Sequence, residues 1–346
     1  MDNRKKNSIY SLILILAVAT VWLVRNKIMN PDEVEKAPYV YVTGEAQGTT
    51  YNISYQDSSA RNFKESIDSL LKQFDNSLST YKEGSEILRF NENDSFQFDL
   101  PYFLPVLKAS KEIYSASQGA FDPTVYPLMQ AWNFKKEVPS IPDSAEINEI
   151  LKYVGFNKIT FDEKQVKKAV DRVSLDFNAI AQGYSIDVVF DFIIDKGIGN
   201  LMVELGGEVR AKGVNENGDA WAIGIDNPKP EASKAQRMAI IKIHNQAIST
   251  SGNYRNFFVH EGVKYGHTIN PKTGFPVQRD IISATIVAPT CMEADAWSTA
   301  FMVTGLEDAK KILAEQTQLS AFFIYENEEG EMETYVTDNL ASNILM

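Results

Sequence analysis

The pattern of apolar and polar residues predicts alternating helices and short strands from Tyr39 to the C-terminus. Apolar side chains recur at helical spacing over 62–74, at positions such as Ile67 and Phe74. The same reasoning predicts further helices over 101–117, 143–153, 179–195 and 306–315. Short apolar or β-branched runs predict strands over 39–43, 50–55, 158–161, 166–169, 172–175, 201–204, 208–212, 221–225, 238–243, 247–249, 283–288, 321–325 and 332–336. Few of these elements form β-α-β units, so we expect an α+β fold.

A strand over 283–288 is followed by a predicted helix that begins near Cys291. On this helix Asp295 and Thr299 are four residues apart and share one face, with Ser298 beside them. A carboxylate with hydroxyls suits a hard cation such as Mg²⁺. The start of a helix also favours anions, although an acidic residue there can serve only the helix dipole. The pattern therefore indicates a divalent cation next to a phosphate group.

The first 27 residues have the pattern of a targeting segment. Arg4, Lys5 and Lys6 precede an apolar run from Ile9 to Val24. The run is about as short as a membrane-spanning helix can be, and no small-x-small cleavage site follows it. We expect residues 1–27 to be an uncleaved signal anchor rather than a cleaved signal peptide. Residues 28–38 would form a linker, and the rest of the chain would lie outside the cytoplasm.

Composition narrows the function classes. The chain has 346 residues and a formal net charge of −12, with a pI near 4.9, which argues against sequence-independent binding of nucleic acid. Cys291 is the single cysteine, so no intrachain disulfide can form, and with three scattered histidines a zinc site is not expected. Neither a G-x-G-x-x-G motif after a strand nor a P-loop occurs. A nucleotide would therefore bind in another kind of site.

Eight motifs occur in one order along the chain and together resemble the ApbE family of FAD:protein FMN transferases. The resemblance covers about Tyr39 to Leu319. The motifs are Gly44–Tyr51, Leu78–Tyr81 with the following Ser85–Ile87, Gly119–Val125, Leu175–Tyr184, Glu204–Glu208, Ser249–Tyr254, His267–Gly274 and the Asp295 helix. The resemblance implies a flavin transferase domain over 39–346, with a mixed α/β fold of two subdomains and a flavin-binding cleft.

The resemblance also implies chemistry and site residues. Members bind FAD with Mg²⁺ at its diphosphate and transfer FMN to a Thr hydroxyl of a partner protein, releasing AMP. The implied metal ligands are Asp295, Thr299 and an oxygen of Ala179, with Ser298 at a position that is acidic in some members. The implied flavin pocket contains Gln47, Tyr81, Ala120, Phe121, Asp122, Asp176, Gln182 and Ile269.

His267 lies in the family's His-x-x-Asp-Pro-x-Thr-Gly signature, in which Asn270 here replaces the Asp. It is a candidate base for the incoming Thr hydroxyl, and positioning of the diphosphate is the alternative role. Gln47 stands where Met is common, Gln182 where Lys or Glu is frequent, and Glu208 replaces an Asp. None of these departures removes Asp295 or Thr299, so we expect an active enzyme.

Two other functions would use the same residues. Water could replace the Thr hydroxyl, which would make the protein a Mg²⁺-dependent FAD pyrophosphatase, or the protein could bind FAD at the membrane without turnover. If it is the transferase, family analogy names flavoprotein subunits outside the cytoplasm as acceptors, such as those of sodium-pumping NADH:quinone oxidoreductase or Rnf-type complexes. We then expect the enzyme at the cytoplasmic membrane, on its outer side, with no nucleic-acid partner.

Overall fold

The computed structural model of the protein describes residues 3–29, 37–134, 141–229, 236–253, 257–260 and 263–346. The strands are β1 (Tyr39–Ala46), β2 (Thr49–Gln56), β3 (Ser95–Gln97), β4 (Ile159–Phe161), β5 (Gln165–Lys168), β6 (Leu201–Leu205), β7 (Glu208–Lys212), β8 (Trp221–Asp226), β9 (Arg237–Ile243), β10 (Gln246–Gly252), β11 (Phe257–His260), β12 (Val263–Gly266), β13 (Ile281–Ala288), β14 (Ser320–Glu326), β15 (Met332–Val336) and β16 (Ile344–Leu345). The helices are α1 (Asn3–Met29), α2 (Lys64–Leu78), α3 (Glu86–Glu92), α4 (Phe103–Ala116), α5 (Tyr126–Trp132), α6 (Ser144–Leu151), α7 (Ala181–Ile194), α8 (Cys291–Thr304) and α9 (Leu306–Glu315).

Eight strands form one antiparallel sheet in the order β1-β2-β6-β7-β10-β13-β14-β15. Smaller sheets pair β9 with β8 and β16, β5 with β3 and β4, and β11 with β12. The pairs within the eight-stranded sheet are all antiparallel, which confirms the expected α+β class. The division into two subdomains stays a prediction.

Side chains alternate between the two faces of the large sheet. On β14, Phe323 lies in the core beneath the helices, whereas Phe322 and Ile324 lie in a second core beneath the β8-β9-β16 sheet. On β13, Ile286 and Val287 divide in the same way. The molecule is therefore layered, with helices on one face of the sheet and the small sheet on the other.

Helix α8 lies inside the helical layer and packs on β10, β13 and α7. Ten of its fourteen residues are buried, which explains why it carries small residues such as Ala294 and Ala296 and no single polar face. The Thr290 hydroxyl caps its first turn by accepting the Glu293 N–H at 3.2 Å. This placement buries Asp295 and aims the start of α8 at α7.

Most predicted elements are present, and the differences have local causes. The β1–β2 hairpin has only Gln47 and Gly48 in its turn, both with positive φ (54° and 76°), so its strands are longer than predicted. The strand predicted over 172–175 is wrong, because the Asn91 side chain takes both the N–H and the C=O of Leu175 (2.7 and 2.9 Å) in place of a partner strand. Helices α3 and α5 and strands β3, β11, β12 and β16 were not predicted.

The predicted N-terminal anchor coincides with α1. None of the helices in the described ranges is long and apolar enough to cross a membrane. Most of the predicted linker over 28–38, and part of the loop before α6, lie outside the described residues.

Candidate active site

The segment from Asp176 to Gly183 connects three distant parts of the chain. The N–H of Asp176 donates to the Pro123 carbonyl at 2.8 Å, which joins it to the segment that contains Asp122. The amide group of Asn178 lies 3.4 Å from the Tyr81 hydroxyl. The N–H of Gly183, in the first turn of α7, donates to Oδ2 of Asp295 at 3.0 Å. Predicted flavin and metal residues therefore meet around one short segment.

Asp295 is a buried carboxylate with one oxygen occupied and one available. It is 6% exposed, and Oδ2 accepts the Gly183 N–H. Its Oδ1 accepts no hydrogen bond from the part of the chain that the structure describes. Burial raises its pKa from 3.8 to about 7. Ionising a buried carboxylate without a counter-charge costs free energy, and Asp295 has one oxygen available. Such a carboxylate is suited to binding a cation.

Two hydroxyl groups of α8, three and four residues after Asp295, meet a hydroxyl group of β10. Ser251, on β10, places its Oγ 2.8 Å from Ser298 Oγ and 3.2 Å from Thr299 Oγ1. Ser298 is fully buried and also contacts the Asp295 carbonyl at 2.8 Å, whereas Thr299 is only partly buried. Ala179 is partly buried two residues before α7 begins. One carboxylate with hydroxyl and carbonyl oxygens is a donor set that fits Mg²⁺ better than zinc.

The described ranges contain no group of three or more His, Cys, Asp or Glu side chains arranged to hold a metal. This absence tests neither the expectation about zinc nor a site made from one carboxylate and neutral oxygens, so the predicted ligands Ala179, Asp295, Ser298 and Thr299 stay predictions.

Gln182 connects α7 to the β6–β7 turn. Its amide nitrogen donates to the Leu205 carbonyl at 3.0 Å and to the Glu208 carboxylate. Burial, followed by the negative charge of Asp295, raises the pKa of Glu208 well above its ordinary value. The carboxylates of Glu208 and Asp295 therefore repel each other in a region of low dielectric constant, and a bound cation would reduce this repulsion. Glu208 appeared in the sequence only as a departure from the family pattern.

Gln47 faces the same end of α7 from the β1–β2 turn. Its Oε1 lies 3.3 Å from Ser185 Oγ, and its amide also hydrogen-bonds Asp75 on α2. Burial raises the pKa of Asp75. Neither Asp75 nor Ser185 was identified from the sequence, because no local pattern in α2 or α7 distinguishes them from other polar residues of a helix.

The two aromatic flavin candidates have opposite environments. Tyr81 is 67% exposed, so its ring can be covered by a ligand. Phe121 is 3% exposed and packs in the main core. Ala120 is also buried, against Val277 and Val303. Of the two rings, only that of Tyr81 is largely exposed.

The carboxylates of Asp122 and Asp176 both hold neighbouring backbone segments in place through hydrogen bonds. Asp122 accepts the Thr124 N–H (2.8 Å) and hydroxyl (2.6 Å) and the Phe156 N–H (3.2 Å), and burial raises its pKa to about 6. Asp176 accepts the Asn178 N–H at 2.7 Å, which shapes the turn before α7. Any contact that these carboxylates make with a ligand would add to these structural roles.

His267 and Ile269 follow β12 along the chain. Thr268 donates to Asn253 at 2.9 Å, two residues beyond the Ser251 that contacts Thr299. The partly exposed His267 is therefore tied through its neighbour to the end of β10. Ile269 is buried in a separate cluster with Trp132, whose indole donates to the Gly274 carbonyl at 2.8 Å.

Asp187 was also not identified from the sequence. It is 5% exposed, on α7. The available signal was a carboxylate set among Ile186, Val189 and Phe190 on a mostly apolar helix. A charge in such a position is rarely buried without a partner.

Comparison with known proteins agrees with this architecture. The profile of the ApbE family matches residues 47–323. The FAD:protein FMN transferase of Vibrio cholerae is 35% identical over 305 residues, which cover 85% of this chain and 90% of that protein. The Haemophilus influenzae FAD:protein FMN transferase is 34% identical, covering 84% and 88%. The solved structure of the flavin transferase ApbE from Vibrio cholerae superposes with a TM-score of 0.80 at 32% identity, covering 89% of this chain and 99% of that one. The chain belongs to the ApbE family, which confirms the resemblance seen in the sequence.

Proposed function

We propose that the protein is a Mg²⁺-dependent FAD:protein FMN transferase that joins FMN to a Thr hydroxyl of an acceptor protein and releases AMP. The observation that carries the proposal is the junction of α7, α8 and β10. There the buried Asp295 keeps one oxygen free, and Thr299, four residues further along α8, has its hydroxyl 3.2 Å from Ser251 on β10. The names of the relatives support the same reaction.

The positions of these residues support the roles that we propose for them. Asp295, Thr299 and the carbonyl oxygen of Ala179 would hold Mg²⁺, which when bound offsets the charge of the FAD diphosphate. Tyr81 would cover one face of the flavin or adenine ring. Gln47 and Gln182, each fixed by a neighbouring carboxylate, would present polar groups of defined orientation to FAD.

In the transfer step, the Thr oxygen of the acceptor forms a bond to the FMN phosphorus. The bond from that phosphorus to the AMP oxygen breaks, and AMP leaves with the electron pair. His267 would accept the proton of the Thr hydroxyl, so that the nucleophile is not a protonated oxygen. Water in place of Thr would give FMN and AMP instead.

The test uses the full chain with FAD, Mg²⁺ and a Thr-containing acceptor domain. Mass spectrometry should show FMN joined to the acceptor, and EDTA should prevent it. An acceptor with Val at the Thr position and the Asp295→Asn enzyme are the matched controls. Free FMN and AMP without adduct would favour the pyrophosphatase, and intact bound FAD would favour a carrier.

We also propose that the acceptor lies outside the cytoplasm. The apolar run from Ile9 to Val24 behind Arg4, Lys5 and Lys6 supports export of the chain, either as an anchor or as a signal peptide. Fractionation of cells into cytoplasm, membrane and extracytoplasmic extract tests this. Recovery of the whole chain in the cytoplasm would contradict the proposal.

A further inference from the structure

Asp187 holds the first turn of α8 from a position on α7. Its Oδ1 accepts the Cys291 N–H at 2.9 Å, and its Oδ2 accepts the Met292 N–H at 2.8 Å. The first N–H groups of a helix have no partner within the helix, so a carboxylate here satisfies two of them and also faces the positive end of the helix dipole. A cap of this kind usually comes from the residue just before the helix, whereas Asp187 is 104 residues away from Cys291.

Arg210 completes the arrangement from β7. Its Nη1 lies 2.9 Å from Asp187 and 3.2 Å from the exposed Asp191, and its guanidinium stacks on the Phe190 ring at 4.2 Å. Arg210 is 17% exposed in its side chain, so the pair with Asp187 is largely shielded from water. A buried carboxylate with a cation and two N–H donors is rigid, because removal of any partner leaves a charge without compensation.

This contact is repeated one turn away with the roles reversed. Gly183 lies four residues before Asp187 on α7, and Asp295 lies four residues after Cys291 on α8. At the first contact α7 supplies the carboxylate and α8 the N–H groups, and at the second α8 supplies the carboxylate and α7 the N–H. The two contacts together determine how far α8 can shift or rotate relative to α7, and so where the Asp295 oxygens lie.

We propose that Asp187 is a positioning residue for the reaction: by holding the start of α8 against α7, it determines the place of the Asp295 carboxylate and thereby the affinity of the cation site. This inference deepens the proposed function, because it concerns the cation site on which that function depends. Asp187 itself would touch neither the cation nor FAD.

The test compares Asp187→Asn with Asp191→Asn in the full chain. Asn has one acceptor oxygen, so its NH₂ group would face one of the two α8 N–H groups. Asp191→Asn makes the same chemical change at the other partner of Arg210, where the side chain is 65% exposed. Binding of Mn²⁺, a spectroscopic substitute for Mg²⁺, is measured by electron paramagnetic resonance below the unfolding transition of each variant, and FAD binding is measured without metal.

We expect Asp187→Asn to weaken Mn²⁺ binding by about tenfold or more, the usual effect of removing a group that orients a metal ligand. FAD binding without metal should stay within about twofold, and Asp191→Asn should match the wild type in both assays. Hydrogen exchange at the Cys291 and Met292 amides should become faster only in Asp187→Asn. Unchanged Mn²⁺ affinity in a folded Asp187→Asn protein, even one of lower stability, would overturn the inference.

If Asp187→Asn does not fold, Arg210→Gln takes its place, since it keeps the carboxylate and removes its cation. We then expect a smaller loss of Mn²⁺ affinity. An Arg210→Gln protein that binds Mn²⁺ as tightly as the wild type would overturn the inference. A wild-type protein that binds no Mn²⁺ would overturn it as well. Adduct formation is assayed separately. A wild-type chain that forms no FMN adduct, but whose Mn²⁺ binding depends on Asp187, would refute the transferase proposal and leave the positioning role standing.

Discussion

The backbone N–H of Gly183 donates to Oδ2 of Asp295 over 3.0 Å and joins the first turn of α7 to the second turn of α8. The two helices approach so closely that a Cβ at position 183 would lie 2.2 Å from the Cys291 carbonyl oxygen. No side chain can occupy that space without moving a helix. Glycine is therefore required here because the two helices are so close. Its backbone conformation is not the reason, since its φ is not in the left-handed region.

Gly183→Ala should move α7 away from α8 and release Asp295. We expect a loss of about 1–3 kcal/mol in the free energy of unfolding, typical of overpacking, together with weaker Mn²⁺ binding. Denaturant unfolding and metal titration measure the two effects. Gly199→Ala is the control, because a Cβ there meets nothing within 4 Å. Equal behaviour of the two variants would show that the close approach is not required.

The raised pKa of Asp295 predicts how stability varies with pH. Its pKa is about 7 in the folded protein against 3.8 in the unfolded chain, so the folded state holds the proton more tightly. Its contribution to stability is then present below about pH 4 and is lost as pH rises towards 7. Without metal, the free energy of unfolding should fall across this range, and Mg²⁺ should restore more of it at pH 8 than at pH 5.

Asp295→Asn is the control for this dependence. Asp122 and Asp187, each with a pKa raised to about 6 by burial, contribute a fall of the same sign and remain in the variant. The fall should therefore become shallower in Asp295→Asn and should no longer respond to Mg²⁺. An identical pH dependence in the variant and the wild type would contradict the assignment.

Tyr81→Ala should weaken FAD binding without unfolding the protein. The ring is 67% exposed, so its loss removes little packing, while lost stacking on a flavin or adenine ring should cost about tenfold in affinity. Quenching of flavin fluorescence measures the affinity. Tyr41→Ala, at another exposed tyrosine, should leave FAD binding unchanged. Equal affinities in all three proteins would remove Tyr81 from the pocket.

Phe121→Ala should lower the free energy of unfolding of the protein and not only its affinity for FAD. The side chain is 3% exposed within the main core, and truncation of such a ring costs about 3–5 kcal/mol. Thermal unfolding measures this loss. A change below about 1 kcal/mol would mean that the ring does not belong to the core and is free for FAD, since core truncations of this size rarely cost so little.

His267→Asn tests the proton acceptor. A histidine that accepts a proton must be neutral, so the transfer rate of the wild type should decline in acid. The variant should be slower by roughly 10²–10⁴-fold, the usual range for a general base, and should lose that decline. His244→Asn is the control, because His244 lies in the exposed β9–β10 turn against the Gly213 carbonyl. A parallel decline in the His267 variant would favour the alternative role in positioning the diphosphate.

Local sequence was sufficient to predict a helix or strand wherever the pattern of apolar side chains alone determines that element. Residues 306–315 were predicted as a helix with the bounds that α9 has, because the apolar positions Ala309, Ile312 and Leu313 lie on one helical face. The prediction over 172–175 failed because Asn91, far away in the chain, satisfies the Leu175 backbone. A backbone partner of that kind has no signal in local sequence.

The order of motifs and the spacing of apolar residues were sufficient to predict the family, the α+β class and the helix that carries Asp295 and Thr299. The packing of the elements was needed to see that Asp187 holds the start of that helix, that Glu208 orients Gln182, and that Phe121 is buried while Tyr81 is exposed. The reason is physical. Spacing along the chain places side chains on one face of a helix, but burial and hydrogen bonds between distant segments depend on how the helices and strands pack together.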